Sequence, residues 1–275
     1  MDFLRPVVVL SGGFFCLAGC PPGPTPTPGT DIVYDSVFDL QSTASSEIRS
    51  DSLDSTARSI SSSSGSLDRG SNTIRLGNLD GTINGDRTRV AFDEGGVASI
   101  TQGATEYVAL FIAEPQNADP FFGIFGVPTN LSEVPDSGTA TYDGVGSASI
   151  QIIDGTSFYE LIGSASIDVN FAQGDIDMTF SDLNGQRRDG VAAPVDVSNV
   201  AVVHVNDAAL VDGQFSGGVA EFSSTEVSAA LSGTEVVTTS GGFFGPNGDE
   251  IGGVLLIDDT SGAGTLLVQG SFVAD

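Results

Sequence analysis

The sequence has no lysine, no tryptophan, one histidine (His204) and only two cysteines, Cys16 and Cys20. Both cysteines precede the body of the chain, so no disulfide, zinc–thiolate site or thiol nucleophile is available to the folded part. One histidine without lysine leaves no serine triad with a convincing nucleophile turn and no histidine-rich metal centre. Without tryptophan there is no strong aromatic platform for a sugar beside paired carboxylates such as Asp175/Asp177 and Asp258/Asp259. A glycosidase is therefore not expected. An enzyme is the third reading, behind two non-enzymatic ones, and no catalytic residue and no metal site is assigned.

Positive charge is scarce as well. All nine basic residues are arginines against 36 acids, for a net charge of −27. From residue 90 onward only Arg187 and Arg188 oppose the acids. Such a surface repels nucleic acid and anionic headgroups, so neither is a partner. What remains is either a solvated acidic coat suited to saline surroundings or a face that recognises a basic partner.

The N-terminus carries a short apolar run, Pro6 to Gly19, preceded by one cation, Arg5. It is shorter than the roughly 20 residues of a comfortable transmembrane helix and suits a signal-peptide core. It ends in Leu17-Ala18-Gly19-Cys20, which resembles the bacterial lipobox. The resemblance implies a signal peptide over 1–19 and a Cys20 thiol that takes a lipid anchor. Five prolines in residues 21–30 then read as an extended spacer between anchor and body. Proline rather than aspartate at position 21 favours the outer membrane by resemblance to enteric sorting rules.

The body, about 255 residues, is long enough for two modest domains or one large one. Glycine, 36 of 275, is well above the usual ~7%. Residues 42–71 hold 13 serines, and the apolar Ile48, Leu53, Ile60 and Leu67 keep no helical spacing. This stretch reads as loop or poorly packed extended chain, with a short amphipathic helix near 44–60 as an alternative. Beyond residue 72 the pattern is of strands. Thr88–Asp93 and Gly96–Thr101 pair across a turn, and Tyr107–Ala113 is apolar throughout and buried on both faces. Phe121 to Phe125 reads as a crossing between two packed units. Ser164–Phe171 and Ile176–Phe180 alternate strictly about Ala172-Gln173-Gly174-Asp175, predicting a hairpin with one wet face. Further strands are expected at about 138–143, 146–153, 199–206, 214–222, 250–257 and 264–273. The fold class is all-β, with an antiparallel barrel or sandwich favoured over a parallel fold.

The most distinctive stretch is Gly241-Gly242-Phe243-Phe244-Gly245-Pro246-Asn247-Gly248-Asp249-Glu250-Ile251-Gly252-Gly253. Its Pro-Asn-Gly is turn chemistry. The phenylalanines suit an interior plug, and the last glycine pair suits a bend or close strand approach. This segment is similar to the signature near the C-terminus of the transferrin-binding protein B-like barrel family. Ser137–Gly144 resembles that family's opening barrel strand, Gln214–Gly218 its mid-barrel turn and Val268–Val273 its closing strand. The resemblance implies an eight-stranded antiparallel C-terminal barrel over 131–275. It also implies a smaller β-rich, handle-like domain over 31–130. It further implies a lipid-anchored protein on the surface of a Gram-negative outer membrane. Family members bind host iron proteins, haem or complement regulators, and several use an outer-membrane lipoprotein translocon. The expectation is a non-enzymatic binding protein for an extracellular protein or a small iron- or haem-type ligand. The alternative is a structural or display lipoprotein without a defined small-molecule ligand. A monomer is expected.

Three sets of candidate residues follow. His204 lies in Val202-Val203-His204-Val205-Asn206, where it shares a strand face with Val202 and Asn206. It is the candidate ligand-binding residue, as a haem ligand, against the plainer use of a hydrogen-bonded strand histidine. Tyr34, Tyr107, Tyr142 and Tyr159 could ligate ferric haem or simply pack. Asp80-Gly81-Thr82-Ile83-Asn84-Gly85-Asp86 is the best stretch for calcium, though it lacks the alternating acids of an EF-hand loop.

Overall fold

A computed structural model of the protein describes residues 34–37, 45–101, 105–260 and 265–275. Residues Tyr34–Asp275 form one compact unit, built from two β-barrels in sequence. The first is a simple meander: β1 (Ser45–Asp54), β2 (Ser59–Asp68), β3 (Thr73–Leu76), β4 (Leu79–Ile83), β5 (Arg89–Phe92), β6 (Gly96–Thr101), β7 (Val108–Pro115) and β8 (Phe121–Gly126). It closes by pairing β8 antiparallel on β1, Arg49 opposite Gly126 through Asp54 opposite Phe121.

The second half holds β9 (Thr139–Asp154), β10 (Ser157–Asn170), β11 (Asp175–Asp189), β12 (Val195–Val197), β13 (Ala201–Val211), β14 (Gln214–Ser216), β15 (Val219–Ser224), β16 (Val236–Phe244), β17 (Glu250–Asp258) and β18 (Leu266–Ala274). Pairing runs β11-β10-β9-β18-β17-β16-β14-β13, and β13 returns to β11. Eight antiparallel strands therefore close this barrel too, with β12 and β15 added on the wall. Eight strands leave an interior just wide enough for side chains. Here they fill it: Phe180, Phe215 and Phe272 stack with Ile150, Ile167, Ile176 and Val203 in one buried cluster. Closure leaves few free strand edges, which suits a chain with no lysine to guard them.

The β10–β11 hairpin and the β5–β6 turn follow the alternation seen in the sequence. Other elements differ from it. The serine-rich 42–71 segment is neither loop nor helix where it is described: β1 and β2 pair over ten residues each, the longest hairpin of the first barrel. Its apolar residues lack a period because both faces are covered. Ile48 and Leu67 point into the barrel, while Leu53 and Ile60 point to the second barrel. Closure against β8 overrides the weak strand preference of serine. Phe121–Phe125 is not a crossing but β8, the closing strand. The expected strands near 138–143 and 146–153 are one strand, β9. β16 was not anticipated, because its glycines and threonines carry no alternation.

The signature segment is split between two tasks. Phe243 does plug the barrel, against Tyr142 and Phe171. Phe244 turns the other way, into an apolar seam with Val108, Ile124 and Val273. Between them and β17 lies a short 3-10 turn, Pro246–Gly248, with Asn247 and Gly248 in the left-handed region. The Gly252-Gly253 pair makes no bend. Gly253 makes room for the Phe215 ring inside, and Gly252 lets Val108 and Ile124 of the first barrel approach the outer wall.

Candidate functional site

His204 lies on β13 opposite Thr179 and Glu221. It is half-buried on the outer wall, beside Val202 and Asn206, while Val203 and Val205 enter the core. Its Nδ1 and the Thr179 hydroxyl are 3.0 Å apart. The tyrosines are scattered. Tyr142 donates to the Gly248 carbonyl at 2.8 Å inside the second barrel. Burial, aided by Asp249, pushes its phenol up to about 12. Tyr159 is buried in the same core. Tyr34 donates to Glu133 at 2.6 Å and packs edge-on against Tyr107. None of these rings is brought together with His204 in one core or ring contact.

The Asp80–Asp86 stretch forms the β4–β5 hairpin. Asp80 faces Arg75 at 3.5 Å, Asn84 accepts from Arg89 N–H at 2.9 Å, and Asp86 accepts from the Thr88 hydroxyl at 2.7 Å. That last bond, with the Thr88 N–H, holds the Asp86 carboxyl below its usual range. Its Oδ1 takes both Thr88 bonds within the hairpin itself. Among the described residues no cluster of three or more His, Cys, Asp or Glu side chains could hold a metal ion. Cys20 and the 20–30 spacer lie outside the described residues.

The two barrels meet along a seam that sequence reasoning did not identify. Two apolar patches form it: Leu53, Phe122, Val254, Leu256 and Leu267, then Val108, Leu110, Ile124, Phe244 and Val273. Polar locks lie within it. Asp51 is fully buried, holds Arg49 at 2.7 Å and accepts from the Ser240 hydroxyl at 2.9 Å. Glu250, 5% exposed, accepts the backbone N–H groups of Glu106, Tyr107 and Val108. Burial pushes its carboxyl up to about 7, against the opposing pull of those three N–H groups. The sequence signal was an acid heading an otherwise apolar and glycine run, Glu250 to Ile257.

The seam aligns one end of each barrel. Arg58, after β1, reaches Asp258 at the end of β17 at 3.2 Å and also Thr260. This shared end carries the long connections of the second barrel, 189–200 and 225–235, together with Asp259 and Thr260 after β17. Asp93, Glu94, Asp119, Asp189, Asp196, Glu226 and Glu235 lie on the connections and strand ends here. The cations nearby are already paired: Arg187 with Asp189 and Glu226, Arg188 with Glu160. The end is therefore strongly acidic, with Val191 fully exposed among the carboxylates.

Comparison with known proteins bears on this architecture. Over residues 134–275 the chain matches the family model described as C-lobe and N-lobe beta barrels of Tf-binding protein B. Among solved structures, a double mutant of the vaccine antigen transferrin-binding protein B from Haemophilus parasuis Hp5 superposes with a TM-score of 0.55 at 19% identity. That match covers 83% of this chain and 44% of that one. The isotype 1 protein from serogroup B Neisseria meningitidis gives 0.51 at 18%, over 85% and 43%. The haemoglobin receptor HpuA from Kingella denitrificans gives 0.43 at 13%, over 84% of each chain. The chain thus spans less than half the length of the two transferrin-binding proteins, and at these identities the likeness is one of fold. A search of curated proteins finds no match. With the model matching just over half the chain, on the strands that close the second barrel, the protein belongs to the family of transferrin-binding protein B lobe barrels.

Proposed function

We propose that the protein is a non-enzymatic lipoprotein of a Gram-negative outer membrane, anchored through Cys20, that binds an extracellular protein at the cell surface. The observation that carries this reading is the second barrel itself. Its interior is filled by its own side chains, so a ligand must be met on the outside, on loops and edges. The seam supports it, because both barrels present their connections at one aligned end. That end is acidic and its arginines are already paired, so the partner should present a basic face. His204, hydrogen-bonded on the outer wall, makes the small haem-type ligand the lesser branch of the proposal.

The direct test is surface capture by the full chain. Transferrin, with and without iron, heads a panel of purified extracellular proteins of basic and acidic character. One-to-one saturable binding that weakens with salt, and weakens further when Glu226 and Glu235 are changed to arginine, is the expected result. No saturable binding across the panel would favour a display protein without a ligand. Anchoring is tested separately. Cys20→Ser should move the protein from the membrane fraction to the soluble one, and protease added to intact cells should cut the native form.

A further inference from the structure

The two barrels of this chain are filled differently. The second is packed by one large apolar cluster, whereas the first leaves a gap in its packing beside β1 and β2. Ile48, Leu67, Ile74, Ile83, Val90 and Phe125 close one half, and Leu76, Phe92, Phe111 and Ala113 are buried on the far side of the other. In the other half, towards the acidic end, the inward positions of β1 and β2 form three directly opposed rungs: Ser50/Ser63, Ser52/Ser61 and Asp54/Ser59. Serine is too small to reach across the barrel, and a cavity of about 500 Å³ remains. Ser59 and Ser61 face inward yet stay exposed, so the space is a wet cup rather than a packed core.

The lining has a definite chemistry. The Ser52 and Ser61 hydroxyls are 2.9 Å apart, which leaves each with further capacity to donate or accept. Asp54 takes the Thr56 and Ala57 N–H groups on Oδ1 at 2.8 Å. Its Oδ2 has no partner among the described residues. Asp119 and Asn78 stand at the rim. Leu76, Leu79 and Phe121 supply an apolar wall. Among the described residues no arginine lines the cup. Access is lateral as well as axial. β3 pairs with β2 only over Ser66–Asp68, so the wall is open between Ser59–Ser63 and the turn at Gly77-Asn78.

We propose that this cup binds a neutral, polyhydroxylated small molecule, of the size of a mono- or disaccharide. Dense hydroxyls that both donate and accept match a polyol, and a free carboxylate oxygen accepts from sugar hydroxyls. The Phe121 face can cover a C–H surface in place of the missing tryptophan. The absence of a cation among the described lining residues, with two carboxylates present, selects against phosphates, sugar acids and haem propionates. The volume falls within the usual range of small-molecule sites, about 300–1,000 Å³. Leucine or isoleucine at these β1 and β2 positions would bury more apolar surface, so the serines leave that stabilisation unused. This site is independent of whatever the outer surface captures.

The test uses the full chain carrying Cys20→Ser, titrated by ligand-observed NMR. The panel is glucose, galactose, mannose, N-acetylglucosamine, maltose and lactose, with gluconate as the anionic control. Saturable binding of at least one neutral sugar, in the roughly millimolar range or tighter, is expected. Gluconate should show none. Ser61→Leu fills the cup and should abolish binding while keeping the circular dichroism and thermal midpoint of the parent. Should that variant fail to fold, the Ser52→Ala/Ser61→Ala pair should weaken binding by about tenfold. The proposal is overturned if no neutral sugar saturates the parent protein. It is equally overturned if gluconate binds as well as the sugars, or if the folded cup variants bind with the parent's affinity.

Discussion

Glu250 and Tyr107 are 143 residues apart in the chain, yet the Glu250 carboxylate accepts the Tyr107 backbone N–H at 2.8 Å across the seam. The adjacent Val108 N–H reaches the same oxygen at 3.0 Å. One side chain of the second barrel thereby satisfies the entry of β7 in the first, where backbone groups would otherwise be buried without partners.

Burial of that carboxyl, which outweighs the pull of the N–H groups, makes stability depend on pH. Glu250 is raised from 4.5 in the unfolded chain to about 7 in the folded one. Between those values the folded state holds the extra proton, so its contribution is fully present below pH 4.5 and is lost as pH rises towards 7. The expected loss is about 3 kcal/mol across that window. Urea titrations of the parent and Glu250→Gln at several pH values should differ by that slope, with the glutamine form flatter. Parallel pH profiles would remove Glu250 as the cause.

Asp51 is fully buried beside Arg49 and Ser240. Replacing it with alanine leaves a guanidinium in the seam without its partner, at an expected cost of about 3–5 kcal/mol. The double change Arg49→Met/Asp51→Leu should recover most of that loss, because well-packed apolar groups often match a buried ion pair. Chemical denaturation midpoints of the two variants make the comparison. The exposed Arg58–Asp258 pair should contribute under about 1 kcal/mol.

A Cβ on Gly241 would overlap the Phe215 ring inside the second barrel. Gly241→Ala should therefore destabilise the protein by about 1–3 kcal/mol through overpacking. Adding Phe215→Leu should partly restore the thermal midpoint, whereas Phe215→Leu alone should lower it.

With a net charge of −27, the compact state repels itself at low ionic strength. Raising monovalent salt from about 0.05 M to 1 M shortens the screening length from over 10 Å to about 3 Å. The thermal midpoint should rise with it, and capture of a basic partner at the acidic end should weaken over the same range. A midpoint that stays level with salt would count against the saline reading of the charge.

Much of the second barrel was legible in the chain. Ser164–Phe171 and Ile176–Phe180 face water on one side and the core on the other, so their alternation survives in the residues themselves. The turn at Pro246–Gly248 was legible for a similarly local reason, since few other residue types accept its left-handed conformations. The first barrel was harder. Leu53 and Ile60 are buried by the other barrel while Ile48 and Leu67 are buried by their own, and two covered faces erase a period. The seam contacts were harder still, because Glu250 meets its N–H donors and Asp51 its Ser240 donor roughly 140 to 190 residues away.

The sequence by itself determined the β class, the turns, the acidic balance and the scarcity of cysteine and histidine, because these follow from residue types and near neighbours. Only the tertiary structure decided that Ser50, Ser52, Ser59, Ser61 and Ser63 line a cup, that Phe244 leaves the barrel for the seam, and that the two barrels lock through Glu250. Those outcomes depend on which distant surface each residue meets, and closure of the two barrels sets that.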